Sequence, residues 1–216
     1  MSGVITPTIL AESAEQYKEQ VERVTGFAER VHIDISDGEF APTFTIGVPE
    51  MWAPEGWLVD VHVMANDLAE YVPKLIALRP NLIIVHAEAK SDVVSALRQI
   101  KQAGVRAGLA LLRPTVPSTV KEMIREAEHV MIFSGELGRF GGTASLMQLE
   151  KIRLIKAINP NVEIGWDGGV TIENAYSLVQ GGVYVLNVGG AIQKASDPHM
   201  MYSKLQGEIS KTGVLA

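Results

Sequence analysis

Four side chains of the types that bind divalent metal ions stand at the ends of short apolar segments. His32 and Asp34 form a His-Ile-Asp pattern, which in a strand puts both side chains on one face. His62 ends the next apolar segment, and Asp167 follows a later one and precedes two glycines. Taken singly, each has an ordinary explanation as a core histidine or a turn aspartate. Two imidazoles and two carboxylates brought together would suit Zn²⁺, Mn²⁺, Fe²⁺ or Co²⁺.

The apolar segments that carry these residues belong to a pattern of alternating strands and helices. Continuously apolar runs are typical of strands that are covered on both faces. The predicted strands are Val4–Leu10, Arg30–Ile35, Leu58–His62, Leu82–His86, Arg106–Leu112, His129–Phe133, Glu163–Trp166 and Val183–Val188. The predicted helices are Ala14–Val24, Leu68–Leu78, Val93–Ala103, Val116–Ala127, Ser145–Ile158 and Ile172–Gln180. Between the second and third strands, Pro42, Pro49 and Pro54 predict a long loop with at most a short helix.

The number of strands favours an α/β fold of the (β/α)₈ TIM barrel type. Eight strands with seven or eight helices and no linker or low-complexity break indicate one domain over residues 1–216. An open doubly wound sheet of eight strands would usually need a longer chain. In a (β/α)₈ barrel the carboxyl ends of all strands meet at one end, where active sites lie. We therefore expect the four polar side chains to share one site.

Three glycine pairs follow the last three predicted strands. They are Gly141-Gly142, Gly168-Gly169 and Gly189-Gly190. Glycine lets backbone N–H groups approach an anion closely, and the loops after strands seven and eight of barrels often bind phosphate. The alternative is that the glycines only form tight turns. Three pairs at one end of the barrel favour a phosphate site.

Composition excludes several classes of partner and site. The 216 residues include 47% hydrophobic and 20% charged residues, with a net charge of −6 and no cysteine. Disulfides and thiolate metal sites are therefore excluded, and no overall positive field is present to attract nucleic acid or an anionic membrane. The sequence shows no apolar run of membrane-spanning length and no signal-peptide pattern. We expect a soluble, cytoplasmic protein.

Three other histidines are interpreted differently from the four candidate ligands. His86 also ends a strand, and with Glu88 it is interpreted as support for the ligands. His129 begins a strand, at the barrel face that is associated with stability, and His199 lies in the C-terminal region. We interpret both as structural or solvent-exposed.

Over nearly its whole length the chain resembles the ribulose-phosphate 3-epimerase family. The motifs that carry the resemblance are Pro7-Thr8-Ile9-Leu10, His32-Ile33-Asp34-Ile35-Ser36-Asp37-Gly38, Thr45-Ile46-Gly47, Asp60-Val61-His62-Val63-Met64, His86-Ala87-Glu88-Ala89, Phe140-Gly141-Gly142 and Asp167-Gly168-Gly169-Val170. The resemblance implies a barrel of the ribulose-phosphate-binding type in which His32, Asp34, His62 and Asp167 hold one divalent metal. It also implies that Thr8, Met64 and the glycine loops contact the substrate.

The resemblance further implies a reaction. D-ribulose 5-phosphate and D-xylulose 5-phosphate would be interconverted through an enediolate, with Asp34 and Asp167 as opposed acid and base at C3. The metal would be Zn, Fe, Mn or Co, and the substrate a phosphorylated ketose. The family also implies a homo-oligomer, either a dimer or a hexamer.

The chain departs from the family pattern mainly around the substrate. Ser36 and Ser134 stand where methionines are usual, and Leu137-Gly138-Arg139 replaces Asn-Pro-Gly. Gly189-Gly190 replaces Gly-Ser, and Trp166 takes the place of a smaller residue. Arg139 would either bind phosphate through a bidentate pair or be an exposed loop arginine.

Because of these departures, other functions stay open. One is a 3-epimerase of a six-carbon ketose phosphate or a metal-dependent aldolase. Another is a catalytically weak barrel that binds a phosphorylated metabolite. A decarboxylase of related barrels is disfavoured, because the stretch from Asp34 to Gly38 lacks the lysine of the Asp-x-Lys-x-x-Asp pattern.

Overall fold

Eight parallel strands close into a barrel in the computed structural model, which describes residues 3–211. Each strand pairs with the next along the chain, and the last pairs with the first. The strands are β1 (Val4–Ile9), β2 (Arg30–Ser36), β3 (Leu58–Met64), β4 (Leu82–His86), β5 (Arg106–Leu111), β6 (His129–Phe133), β7 (Glu163–Asp167) and β8 (Val185–Val188). The predicted TIM barrel is confirmed.

Helices cover the outside of the barrel. They are α1 (Ala14–Val24), α2 (Leu68–Ala77), α3 (Val93–Gln102), α4 (Lys121–Glu126), α5 (Glu150–Ile158), α6 (Ile172–Gln180), α7 (Gly190–Gln193) and α8 (Pro198–Ile209). Several begin at a side-chain cap; for example, Asp92 accepts a hydrogen bond of 3.0 Å from the Ser95 N–H. No helix in residues 3–211 is both long enough and apolar enough to span a membrane.

Apart from shifts of one or two residues at element ends, the structure differs from the predicted elements in four places. The predicted helices Val116–Ala127 and Ser145–Ile158 each begin with a 3₁₀ turn, so α4 and α5 are shorter than predicted. The first of these turns starts at Pro117, which has no N–H to give to a helix. Neither the four-residue helix α7 nor the final helix α8 is among the predicted helices. The apolar residues of α8 are spread around the helix, so no apolar face marks it in the sequence. As predicted, a loop with only a short 3₁₀ turn, Val48–Glu50, joins β2 to β3.

Side chains of each strand alternate between two buried regions. In β4, Leu82 and Ile84 point into the barrel, whereas Ile83 and Val85 pack under the helices. The apolar cluster inside the barrel consists of Leu82, Ile84, Ala110, Met131 and Phe133. This cluster comes from β4, β5 and β6, so most of the polar side chains inside the barrel lie on the other strands.

A network of charged side chains fills the barrel at the beginnings of the strands. Nη2 of Arg30 lies 3.0 Å from Oε1 of Glu163, and Nε of Arg30 lies 2.7 Å from Oδ2 of Asp60. Glu163 also lies 2.8 Å from Nδ1 of the buried His129. Burial raises the pKa of Glu163, but the contacts with His129 and Arg30 outweigh it and hold the pKa well below its usual range. His129 is therefore part of the structural network, as interpreted from the sequence, and His199 is exposed on α8.

Candidate active site

The four predicted metal ligands converge at the carboxyl end of the barrel. Their ligand atoms all lie within 4.8 Å of one another, and all four residues are buried. Oδ1 of Asp34 lies 2.7 Å from Nδ1 of His62 and 3.2 Å from Nε2 of His32. Oδ2 of Asp167 lies 3.7 Å from the same nitrogen of His32 and 3.9 Å from that of His62. Strands β2, β3 and β7 thus form a cluster that could hold a metal ion.

His32 gives a test of whether these residues suit a metal. Its side chain is fully buried, yet neither ring nitrogen has a hydrogen-bond partner within residues 3–211. Nε2 is close to Asp34, but the direction of the contact is not that of a hydrogen bond. A buried polar nitrogen without a partner lowers the stability of a fold unless its lone pair is bound by another group, such as a metal ion. The donor set of two imidazoles and two carboxylates fits a divalent transition metal.

The two carboxylates of the cluster have opposite electrostatic environments. Burial and the negative charge of Asp34 raise the pKa of Asp167. Burial also acts to raise the pKa of Asp34, but the contacts with His32 and His62 outweigh it and hold that pKa below its usual range. Two neighbouring carboxyl groups whose pKa values are pushed apart are suited to acid and base roles.

A line of hydrogen-bonding groups extends from His62 away from the cluster. Nε2 of His62 lies 2.8 Å from Nε2 of His86, and Nδ1 of His86 lies 3.2 Å from Oε2 of Glu88. Burial lowers the pKa of His86 to about 4, so this ring is neutral near pH 7. Glu88 accepts further hydrogen bonds from the N–H of Leu112 and the hydroxyl of Thr115. His86 therefore contacts a candidate ligand and is not a member of the cluster itself.

A cavity of about 260 Å³ opens directly above the cluster. Asp34 and Asp167 form part of its wall. The predicted substrate-contacting residues that line it are Thr8, Met64, Gly141, Gly142, Gly168, Gly169, Gly189 and Gly190. Every residue predicted to contact substrate thus borders one cavity, next to the two carboxylates.

Two glycines of this cavity are required by close approach of other groups. Gly168 has φ +100°, and a Cβ there would stand 2.0 Å from the backbone nitrogen of Gly135. Gly189 has an ordinary φ, but its Cβ would stand 2.4 Å from the ring of Phe140. Backbone therefore forms this end of the cavity, and a Cβ at either position would require Gly135 or Phe140 to move.

Comparison with known proteins identifies the family. The ribulose-phosphate 3 epimerase family matches residues 4–193. The chain belongs to this family. The chloroplastic ribulose-5-phosphate-3-epimerase of Arabidopsis thaliana is 32% identical over 90% of this chain and 73% of that protein. The ribulose-phosphate 3-epimerase of Aquifex aeolicus is 29% identical over 94% of this chain and 95% of that protein. The protein is accordingly an isomerase of the epimerase class.

Solved structures show the same fold at low identity. The 3-keto-L-gulonate-6-phosphate decarboxylase of Vibrio cholerae superposes with a TM-score of 0.74 over 97% of this chain and 98% of that chain. The two sequences are only 13% identical, so this likeness concerns the barrel alone.

The departures from the epimerase pattern lie in different environments. Ser134 is buried, and its hydroxyl accepts a hydrogen bond of 2.9 Å from the Ser145 N–H, so it holds the loop after β6 and does not line the cavity. Phe133 lines the cavity instead. Ser36 is also buried away from the cavity. Trp166 packs under the helices, outside the barrel interior.

Four polar residues of the cavity were missed by the sequence analysis, namely Glu136, Thr171, Asn187 and Lys194. Oδ1 of Asn187 is buried in the cavity wall without a hydrogen-bond partner in residues 3–211, as is the hydroxyl of the predicted Thr8. Lys194 also lines the cavity, at the end of α7. Asn187 could have been found as the one polar residue of β8, whereas Lys194 could have been found from its position four residues after Gly190. Arg139 lines the same cavity from an exposed loop.

Proposed function

We propose that the protein is a metal-dependent ribulose-phosphate 3-epimerase that interconverts D-ribulose 5-phosphate and D-xylulose 5-phosphate. The observation that carries the proposal is the buried cluster of His32, Asp34, His62 and Asp167, at the floor of a glycine-rimmed cavity. Family membership supports the epimerase class. The cavity supports a small phosphorylated ketose.

Asp34 and Asp167 carry the proton transfers in this proposal. They stand on β2 and β7, and both border the cavity. One carboxylate removes the proton from C3 of the ketose, and the other, protonated, returns a proton to the opposite face. The raised pKa of Asp167 and the lowered pKa of Asp34 suit a pair that holds one proton between them.

The same four side chains would hold the divalent ion. When bound, Zn²⁺, Fe²⁺, Mn²⁺ or Co²⁺ would supply Lewis acidity that stabilises negative charge on the substrate oxygens next to C3. His32 and His62 orient toward the two carboxylates through the nitrogens Nε2 and Nδ1, respectively. The side chains of Met64 and Phe133 make the neighbouring wall apolar, which limits access of water to the reacting carbon.

Backbone groups and two cations would bind the phosphate. The loops after β6, β7 and β8 contribute the glycine pairs, whose N–H groups can approach an anion closely. Lys194 and Arg139 line the same cavity as the glycine pairs, and they make no ion pair with any side chain of residues 3–211. Their positive charges would attract an anionic substrate to a protein whose net charge is −6. Phosphate binding of this kind would position C3 between the two carboxyl groups.

Hydrogen exchange at C3 tests the proposal. Protein supplied with each divalent metal in turn is incubated with D-ribulose 5-phosphate in deuterated water, and the sugar is followed by NMR. We expect deuterium at C3 together with net formation of D-xylulose 5-phosphate. Glu70→Gln, which breaks only an exposed pair with Lys74 on α2, serves as a control and should exchange like the parent.

Parallel incubations decide between the alternatives. Exchange at C3 of a six-carbon ketose phosphate, without exchange in ribulose 5-phosphate, would retain the chemistry and change the substrate. Cleavage of a carbon–carbon bond would indicate an aldolase. Absence of exchange in every ketose phosphate, together with measurable binding, would favour a binding protein and would contradict the proposal.

A further inference from the structure

We infer that His86 and Glu88 are positioning residues that hold His62 with its proton on Nε2, which leaves Nδ1 free to bind a metal ion. The inference rests on the metal site of the proposed function. It adds a role for two residues outside the four candidate ligands. Its basis is the chain of contacts that runs from His62 through His86 to Glu88.

The ring of His62 is contacted at both nitrogens. Nδ1 faces the carboxylates and lies 2.7 Å from Oδ1 of Asp34. Nε2 faces away and lies 2.8 Å from Nε2 of His86. A neutral imidazole carries one proton, so one nitrogen is a donor and the other an acceptor. A metal ligand needs the lone pair on the nitrogen that faces the cluster, and therefore needs the proton on the far one.

With a metal ion bound, Nδ1 of His62 and Oδ1 of Asp34 would both face the ion and no proton would lie between them. In that state the remaining contacts decide on which nitrogen each proton lies. Oε2 of Glu88 lies 3.2 Å from Nδ1 of His86, and a carboxylate can only accept hydrogen bonds. The proton of His86 therefore lies on Nδ1, and its Nε2 is an acceptor. An acceptor at this position requires a donor at Nε2 of His62. Through His86, the carboxylate of Glu88 thus keeps the proton of His62 on Nε2 and leaves Nδ1, which faces the metal site, without a proton.

Glu88 is itself held as an acceptor. Its Oε1 accepts hydrogen bonds from the N–H of Leu112, at 3.0 Å, and from the hydroxyl of Thr115. Burial raises the pKa of Glu88, but hydrogen bonds from His86, Thr115 and Leu112 outweigh it and keep the pKa below its usual value. Nζ of Lys151 donates to the carbonyl of Leu112 at 2.7 Å and so fixes this end of β5. The carboxylate is thus anchored to the backbone beyond β5.

Two aromatic rings enclose the contact between the histidines. The ring of Phe40 lies 4.6 Å from that of His86, and the ring of Phe133 lies 5.9 Å from each of the two imidazoles, between centroids. Both His62 and His86 are fully buried. Water therefore has little access to replace a lost hydrogen bond, and the direction of the chain depends on its protein groups.

Glu88→Gln is the variant that tests this arrangement. The amide keeps the shape of the side chain, and its oxygen can still accept from Leu112 and Thr115. Its NH₂ group would then face Nδ1 of His86 and reverse the hydrogen-bond direction, which places a proton on Nδ1 of His62. We expect the dissociation constant for Zn²⁺, measured by competition with a chelator, to rise about 10- to 100-fold.

Thr115→Val is the matched control. It also removes a hydrogen bond from Glu88, but it leaves a carboxylate that accepts from His86. We expect its dissociation constant for Zn²⁺ to stay within about threefold of that of the parent protein, because the hydrogen-bond direction is unchanged. The proposal is overturned if Glu88→Gln and Thr115→Val bind Zn²⁺ within about threefold of one another.

Nitrogen NMR of histidine-labelled, Zn²⁺-loaded parent protein gives a second measurement that needs no variant. We expect the proton of His62 on Nε2 and that of His86 on Nδ1. A proton on Nε2 of His86 would overturn the proposal, as would failure of the parent to bind Zn²⁺. Neither measurement uses catalysis. If the protons lie where expected and no ketose phosphate is epimerised, only the proposed function is contradicted. If the protein is active and the protons lie on the other nitrogens, only this inference is contradicted.

Discussion

Arg30 and Glu163 join two strands that are not neighbours, with Nη2 of Arg30 3.0 Å from Oε1 of Glu163. Four residues further along the same strands, β2 and β7, stand Asp34 and Asp167. Side chains four residues apart in a strand point to the same face. The ion pair at one end of the barrel and the carboxyl pair at the other therefore project into the same interior, and the ion pair ties together the strands that carry the two acids.

Removal of the Glu163 charge should destabilise the fold in a manner that depends on pH. We expect Glu163→Gln to lower the free energy of unfolding by about 3 kcal/mol at pH 7, because it leaves Arg30, Arg106 and His129 less well paired. The folded-state pKa of Glu163 is lowered, so its contribution is present above the unfolded pKa and is lost as pH falls toward the folded value.

Urea unfolding at several pH values measures this effect. The difference between parent and variant should shrink below the ordinary glutamate pKa of about 4.3. Glu70→Gln, which breaks an exposed pair with Lys74, is the control and should change stability little at any pH. A difference that grows as the pH falls would contradict the role assigned to this network.

Asp167→Asn should abolish turnover and leave the barrel folded. The amide cannot accept or return the C3 proton, and we expect kcat to fall about 10³-fold. Stability should not fall, since the change removes one of two adjacent buried carboxyl groups. Circular dichroism and kcat for the ketose phosphate are measured, with Asp67→Asn at the cap of α2 as the matched control. Activity close to that of the parent would show that the acid and base have been assigned wrongly.

Lys194→Gln should weaken substrate binding more than it slows the chemical step. The cation lines the cavity at the end of α7, where it would meet the phosphate. Because the side chain is exposed and screened by salt, we expect KM to rise about fivefold and kcat to change less. Lys204→Gln, on the exposed side of α8, should leave KM unchanged. Equal KM values for the two variants would remove Lys194 from the phosphate site.

The glycine pair after β8 gives a direct comparison of two neighbouring positions. An alanine Cβ at 189 would stand 2.4 Å from the Phe140 ring, whereas at 190 its nearest contact would be 3.6 Å. We expect Gly189→Ala to lower the free energy of unfolding by about 1–3 kcal/mol and Gly190→Ala to fold normally. Thermal unfolding measures both. Gly190→Ala should still raise KM, because the methyl group lies beside the anion; an unchanged KM would argue against phosphate at this loop.

The barrel and the metal cluster were predictable from the sequence for one physical reason. Strands of a closed parallel barrel end at the same place, so the polar residues near the carboxyl ends of β2, β3 and β7 had to meet. What the sequence could not supply was the register between paired strands and the contacts between strands across the barrel. The contact between His62 and His86 and the network around Glu163 depend on these relationships.

The cavity wall was less predictable than its floor. A family pattern pointed to Ser134, but the side chain that reaches the cavity from β6 is that of Phe133. Adjacent strand residues face opposite sides, so an uncertainty of one position exchanges a lining residue for a buried one. The expected homo-oligomer, the cytoplasmic location and the identity of the metal stay predictions.

The floor of the cavity is formed by strands and its phosphate end by loops, and the two parts differ in how easily their residues can be replaced during evolution. The floor consists of strand residues, which cannot shift without rebuilding the barrel. The phosphate end consists of loops, and the one after β6 already differs from the family pattern, with Glu136 and Arg139 at the cavity. Substrate preference can therefore diverge by replacement of one loop, and a library that varies residues 136–139 should yield variants with new sugar preferences and the parent's reaction type.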